Sequence, residues 1–93
     1  MNYLGKKLRE LRESQGLLLR QVAAQIDVDT AFLSKMERGD RKAQREHVSK
    51  LAKLLNTNED ELIVLWLADR LKEVVEDEPM ADKALDLVKK ETH

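Results

Sequence analysis

The amino-acid sequence predicts an all-α fold, and three observations carry that prediction. Leucine occurs 16 times and alanine 8 times, against 12 for valine, isoleucine and threonine together, a balance that favours helix over sheet. Apolar residues recur at spacings of three and four along most of the chain, and no segment alternates strictly enough to be a strand. Breakers are sparse: Gly stands only at 5, 16 and 39 and Pro only at 79. Few positions can therefore end a helix.

The elements follow in order. Leu4, Leu8 and Leu11 mark a first helix over residues 2–15, with Gly16 placed to end it. A short second helix over residues 19–26 buries Val22, Ala23 and Ile26. Asp29 can then accept from the free N–H groups of a third helix, residues 30–38, in which Leu33 and Met36 point inward and Gly39 is the stop. After a basic loop at 39–43, a fourth helix over residues 44–55 carries Val48, Leu51, Ala52 and Leu55 on one face. Asn58 and Glu61 have capping-box spacing, so a fifth helix begins near Glu59 and runs to about residue 77. Its first turns, residues 62–68, are apolar on every side and so require cover on every side. Pro79 suits the first turn of a sixth helix over residues 79–90, whose stripe of Ala81, Ala84, Leu85 and Val88 can cover part of the fifth. No internal repeat occurs, and the apolar heptads are too few for a sustained coiled coil.

At 93 residues, with 42% hydrophobic and 38% charged residues, the chain suits one soluble domain with one core. Its longest apolar run has seven residues, far short of the ~20 that cross a bilayer, and its N-terminus lacks the apolar centre of a signal peptide. Without Cys there is no disulfide framework and no thiolate chemistry, which fits a cytoplasmic protein. The net charge of −1 hides an asymmetry. Residues 1–55 carry 12 cationic and 7 acidic side chains, whereas residues 56–93 carry 5 and 11. The first part can face a polyanion and the second cannot.

Enzyme chemistry finds no footing. The histidines are His47, in mid-helix, and His93, the last residue; no Ser has a His-plus-carboxylate partner at a recognisable spacing, and no glycine-rich phosphate loop exists. The carboxylates of residues 59–91 have the spacing of solvated helix faces. No enzyme activity, cofactor or metal is expected.

Two short helices joined by a tight turn within about twenty residues form a helix-turn-helix, whose second helix can lie in a DNA major groove. Residues 19–38 meet its demands, with small Ala23 at the crossing, a turn at Asp27 and Val28, and Leu33 and Met36 beneath the second helix. Any small helical domain contains such a corner, so flanking residues must decide. The runs LRELRESQG, VAAQIDVDTAFLSKMERG and VSKLAKLLNTNEDEL, between Leu8 and Leu62, resemble the lambda-repressor-like (Cro/cI, XRE) family of DNA-binding domains. The resemblance implies a five-helix domain, here residues 1–65, followed by a helical extension, residues 66–93.

The resemblance also implies roles. Thr30, Ala31, Ser34 and Lys35 fall at positions like those that contact bases: Thr and Ser can bond several base edges, Ala offers a methyl to thymine, and Lys reaches guanine. Phe32, between them, either packs on the neighbouring turn or meets a thymine methyl. Arg38, Lys42 and Arg45 match positions that meet the phosphate backbone, with Arg41 a further contact. Arg12 and Glu37 match an ion pair that ties the first helix to the end of the third. The sequence departs from the pattern at Leu18 and Leu19, where a Ser or Thr cap and a phosphate-touching Gln are usual; Arg20 or Gln21 can replace that contact. Ala43 stands where Pro is common. Asp27 stands where Gly is frequent, and Asp tolerates the left-handed conformation.

The extension falls outside the resemblance. The fifth helix leaves part of Leu65, Trp66, Leu67, Leu71, Val74 and Val75 to be covered by the sixth helix or by a second copy of the chain. Trp66 is either an interface anchor or an ordinary core residue. The expectation is a homodimeric, sequence-specific regulator of transcription that binds double-stranded DNA at a palindrome. It resembles restriction–modification controllers, phage repressors and antitoxins alike. The alternative is a protein-interaction module that keeps the fold and has lost DNA binding.

Overall fold

The computed structural model describes residues 1–92; His93, the end of the expected extension, lies outside them. The helices are α1 (Tyr3–Ser14), α2 (Leu19–Gln25), α3 (Thr30–Arg38), α4 (Arg45–Leu54), α5 (Glu59–Val75) and α6 (Ala81–Thr92), with no strand among the described residues. The all-α prediction holds.

Local chemistry sets the helix ends. Asn2, Asp29 and Asn58 cap α1, α3 and α5 by accepting from the N–H groups of Gly5 at 2.8 Å, Phe32 at 2.6 Å and Glu61 at 3.0 Å. Helices α2 and α4 use another device, because their N-cap residues, Leu18 and Gln44, make no side-chain cap bond. The residue three places on reaches back instead: Gln21 Oε1 accepts from Leu18 N–H at 2.8 Å, and His47 Nδ1 accepts from Gln44 N–H at 3.1 Å. Asp27 takes the expected left-handed conformation, φ 58°, and so do Asn56 and Asp77. Pro79 is a correction. It lies in the turn ahead of α6, where Glu78 Oε2 accepts from Met80 N–H at 2.8 Å, and the helix starts only at Ala81.

Helices α1 to α5 enclose one core, in which Leu8, Leu33, Met36, Val48, Leu51, Leu55 and Leu62 are almost fully buried. Burying one such side chain contributes roughly 1.5–3 kcal/mol. Helix α1 crosses the C-terminal end of α3 at Gly5, where an added Cβ would overlap the carbonyl oxygen of Glu37. Only glycine permits that approach. The start of α1 is held from α5, because the Asp69 carboxylate accepts from the N–H groups of Tyr3 at 2.8 Å and Leu4 at 3.1 Å. Helix α5 thus runs unbroken through the expected boundary at 65/66, and two residues beyond it, Trp66 and Asp69, bond back to the first part.

Helix α6 has no buried residue and leaves Leu87 and Val88 exposed. The radius of gyration, 14.9 Å, exceeds the roughly 12 Å of a compact chain of this length, consistent with a helix that stands off the globule. The expected cover of α5 by α6 is therefore corrected. Val64, Leu67, Leu71 and Val74 stay exposed, because the stripe on α6 is short and half alanine, with only Ala81 and Leu85 half-buried.

Candidate nucleic-acid interface

The candidate interface centres on the corner between α2 and α3. Ala23 is buried there, and its carbonyl accepts from Val28 N–H at 3.1 Å, which closes the turn. Helix α3 has one face locked inward through Leu33, Met36 and Glu37. Its other face carries Thr30, Ala31 and Lys35, all exposed, with Ser34 half-buried beside them. Those are the four residues expected to contact bases, and the structure puts them together. Phe32 packs against the core, edge-on to His47 with ring centroids 5.4 Å apart, and the Arg41 guanidinium lies 5.2 Å over its ring. Phe32 makes the packing contact and remains half-buried.

The residues expected to contact phosphate divide into two groups. Arg38, Arg41, Lys42 and Arg45 lie on the segment from the end of α3 to the first residue of α4, all exposed. Arg38 pairs with Asp40 at 3.4 Å and Lys42 with Glu73 at 3.1 Å. Exposed pairs of this kind contribute at most about 1 kcal/mol, so a phosphate can displace either carboxylate. Arg20 and Gln21 stand apart, in the first turn of α2. Gln21 uses its carbonyl oxygen on Leu18 N–H, which leaves its amide NH₂ as a donor.

Behind this surface, Arg12 and Glu37 form a two-bond pair. Arg12 Nε donates to Glu37 Oε2 at 2.8 Å and Nη2 to Oε1 at 3.1 Å, while Nη1 donates to Leu17 O at 2.9 Å. The bonds to Glu37 raise the pKa of Arg12 against an opposing effect of burial. The pair fixes the end of α3 to α1.

Three contacts that shape the site were not expected from the sequence. Asp69 holds the start of α1, Trp66 Nε1–H donates to Ala43 O at 2.8 Å, and His47 caps α4. Only His47 left a local signal, its spacing of three from Gln44. The other two act across 66 and 23 positions, where no pattern in the chain reports contact.

A helix-turn-helix family model matches residues 8–62, from the middle of α1 to the start of α5. The chain belongs to the Cro/cI-like (XRE) helix-turn-helix family. The family is one of DNA-binding transcriptional regulators, and the matched residues include the whole of α2 and α3. The fold is similar to that of the clp gene regulator ClgR from Corynebacterium glutamicum, with a TM-score of 0.64 and 23% identity over 99% of this chain and 92% of that one. At that identity the likeness concerns the fold. No curated protein matches the sequence. Among the described residues of this helix-turn-helix protein, no helix is long and apolar enough to cross a membrane.

Proposed function

We propose that the protein is a homodimeric, sequence-specific transcriptional regulator that lays α3 in the major groove of a palindromic operator. One observation carries the reading: the exposed face of α3 presents Thr30, Ala31, Ser34 and Lys35 while its opposite face is locked into the core by Leu33, Met36 and Glu37. A helix so held can read base edges without rearranging. Arg38, Arg41, Lys42 and Arg45 meet phosphates on one side of it, and Arg20 or Gln21 on the other.

The dimer reading is supported by α5. Val64, Leu67, Leu71 and Val74 are exposed at spacings of three, four and three, the pattern of a seam between two helices. Leu65 and Trp66 pack partly against the protomer's own core and Val75 is half-buried, so the centre of the interface falls on Leu67, Leu71 and Val74. The name of the ClgR structure, a gene regulator, agrees with the reading. Selection of binding sites from a random DNA pool tests it. An enriched inverted repeat with half-sites about 34 Å apart is expected, and enrichment of single, unpaired sites or of none counts against it.

A second reading, an interaction module without DNA binding, draws on Leu18, an apolar side chain 48% exposed at the start of α2 where the family usually places a polar cap. Failure to bind random duplex DNA at any salt concentration would favour that reading.

A further inference from the structure

The peptide unit between Ala43 and Gln44 is held at both of its polar atoms. Its carbonyl oxygen accepts the indole N–H of Trp66, from α5, at 2.8 Å. Its N–H donates to Nδ1 of His47, in the first turn of α4, at 3.1 Å. The His47 ring in turn meets Phe32 of α3 edge-on, and Ala43 itself is buried. Turning this peptide plane breaks one bond or the other, so its orientation is fixed by α4 and α5 together. Arg45 is the next residue but one, and Arg41 and Lys42 come immediately before.

We propose that Trp66 and His47 are positioning residues for DNA binding: by fixing the Ala43–Gln44 peptide they aim Arg45 and the cations at 38–42 at the phosphate backbone, in register with α3. The inference rests on the DNA-binding reading given above. Its physical content is preorganisation. A loop ordered before encounter loses no further conformational freedom on the DNA, whereas a loop free to turn must be ordered at the expense of affinity. Two features separate this role from plain packing. The Trp66 ring is only half-buried, with the Arg70 guanidinium 4.9 Å over its face, so its body needs no polar partner inside the core. The His47 bond copies that of Gln21 at the start of α2, so a glutamine can make it equally well.

The test uses the full chain with Trp66→Phe, which keeps a ring and removes the donor, His47→Ala, which removes the acceptor, and His47→Gln, which restores one. Affinity for random-sequence duplex DNA is measured across a salt series, with sedimentation and amide exchange on the free proteins. Trp66→Phe and His47→Ala are expected to bind roughly 2- to 10-fold more weakly, the worth of one hydrogen bond. Their log K against log[salt] slopes should be flatter by about one unit, the loss of one phosphate contact. The Gln44 amide should exchange faster while the α3 amides and the sedimentation match wild type, and His47→Gln should recover affinity and slope. Unchanged affinity and slope in both disruptive variants would overturn the proposal. Loss of protection throughout the chain would overturn it too, by making these residues part of the core, and altered sedimentation would do so by assigning Trp66 to the subunit interface. A wild-type chain that leaves duplex DNA unbound would sink the DNA-binding reading itself, a result distinct from variants that differ from a binding wild type.

Discussion

Arg12 of α1 and Glu37 of α3 lie 25 positions apart in sequence and share two hydrogen bonds, at 2.8 and 3.1 Å, with both side chains largely shielded from water. The pair sits one residue before Arg38, at the root of the segment proposed to meet phosphate. Glu37→Ala leaves the guanidinium uncompensated, which costs about 3–5 kcal/mol for a buried pair. In a chain of this size each kcal/mol lowers Tm by about 4–8 °C, so thermal unfolding should show a fall of more than ~10 °C. A smaller fall would mean that Leu17 O and water together satisfy Arg12. The pKa of Arg12 is raised in the folded chain, so its stabilisation is complete below the unfolded value and is lost only as pH rises through the folded one. Both lie far above neutrality, and melting between about pH 6 and 9 should show no loss from this guanidinium.

Arg45, the first residue of α4, has an exposed side chain and directly follows the cationic loop in sequence. Arg45→Ala should weaken binding to all duplexes by a similar factor and flatten the salt slope by about one unit. A fluorescence-anisotropy titration over salt measures both. An unchanged slope removes Arg45 from the phosphate contacts.

Readout should respond differently. Lys35→Ala, or a larger residue at Thr30, should change which bases are preferred, with discrimination at one position per half-site falling by about 1–3 kcal/mol. Site selection on each variant reports it, and a uniform loss of affinity with the same selected sequence would show that these side chains do not read bases.

The exposed seam on α5 can be tested without touching Trp66, which is bonded to Ala43. Leu67→Ala with Leu71→Ala should give a folded monomer by sedimentation. Joining two half-site contacts raises apparent affinity by roughly 10² to 10⁴, so the double variant should lose that factor on a palindrome while a single half-site still binds weakly. A variant that remains dimeric places the interface elsewhere.

The readable parts of this protein are those set by neighbours in sequence. Asp29 as the cap of α3, Asp27 as a left-handed turn residue and Leu33 with Met36 as the buried face of α3 all follow from spacing and residue type, and the structure has each in place. The Arg12–Glu37 pair is legible through family resemblance, since nothing local predicts it. What stayed hidden depends on how whole helices cross. Gly5 gives no sign in the sequence that it lies against the Glu37 carbonyl, and Trp66 gives none that its N–H finds Ala43. The sixth helix misled for a related reason: an apolar stripe says that a face can be buried, not that a partner face lies within reach.

The bond from Asp69 to the first turn of α1 also orders events in time. During synthesis at roughly 5–20 residues per second, the N–H groups of Tyr3 and Leu4 wait several seconds before their carboxylate has been made. The hydrogen bond that closes the turn between α2 and α3, from Val28 N–H to Ala23 O, by contrast needs no residue made later. A nascent chain halted at residue 62 would contain every residue matched by the family model, yet its first helix would have only the Asn2 side chain at its start and no Trp66 to hold the loop ahead of Arg45. Residues 66–69 of α5, rather than any part of α2 or α3, therefore supply the bonds that fix the start of α1 and the loop proposed to meet phosphate.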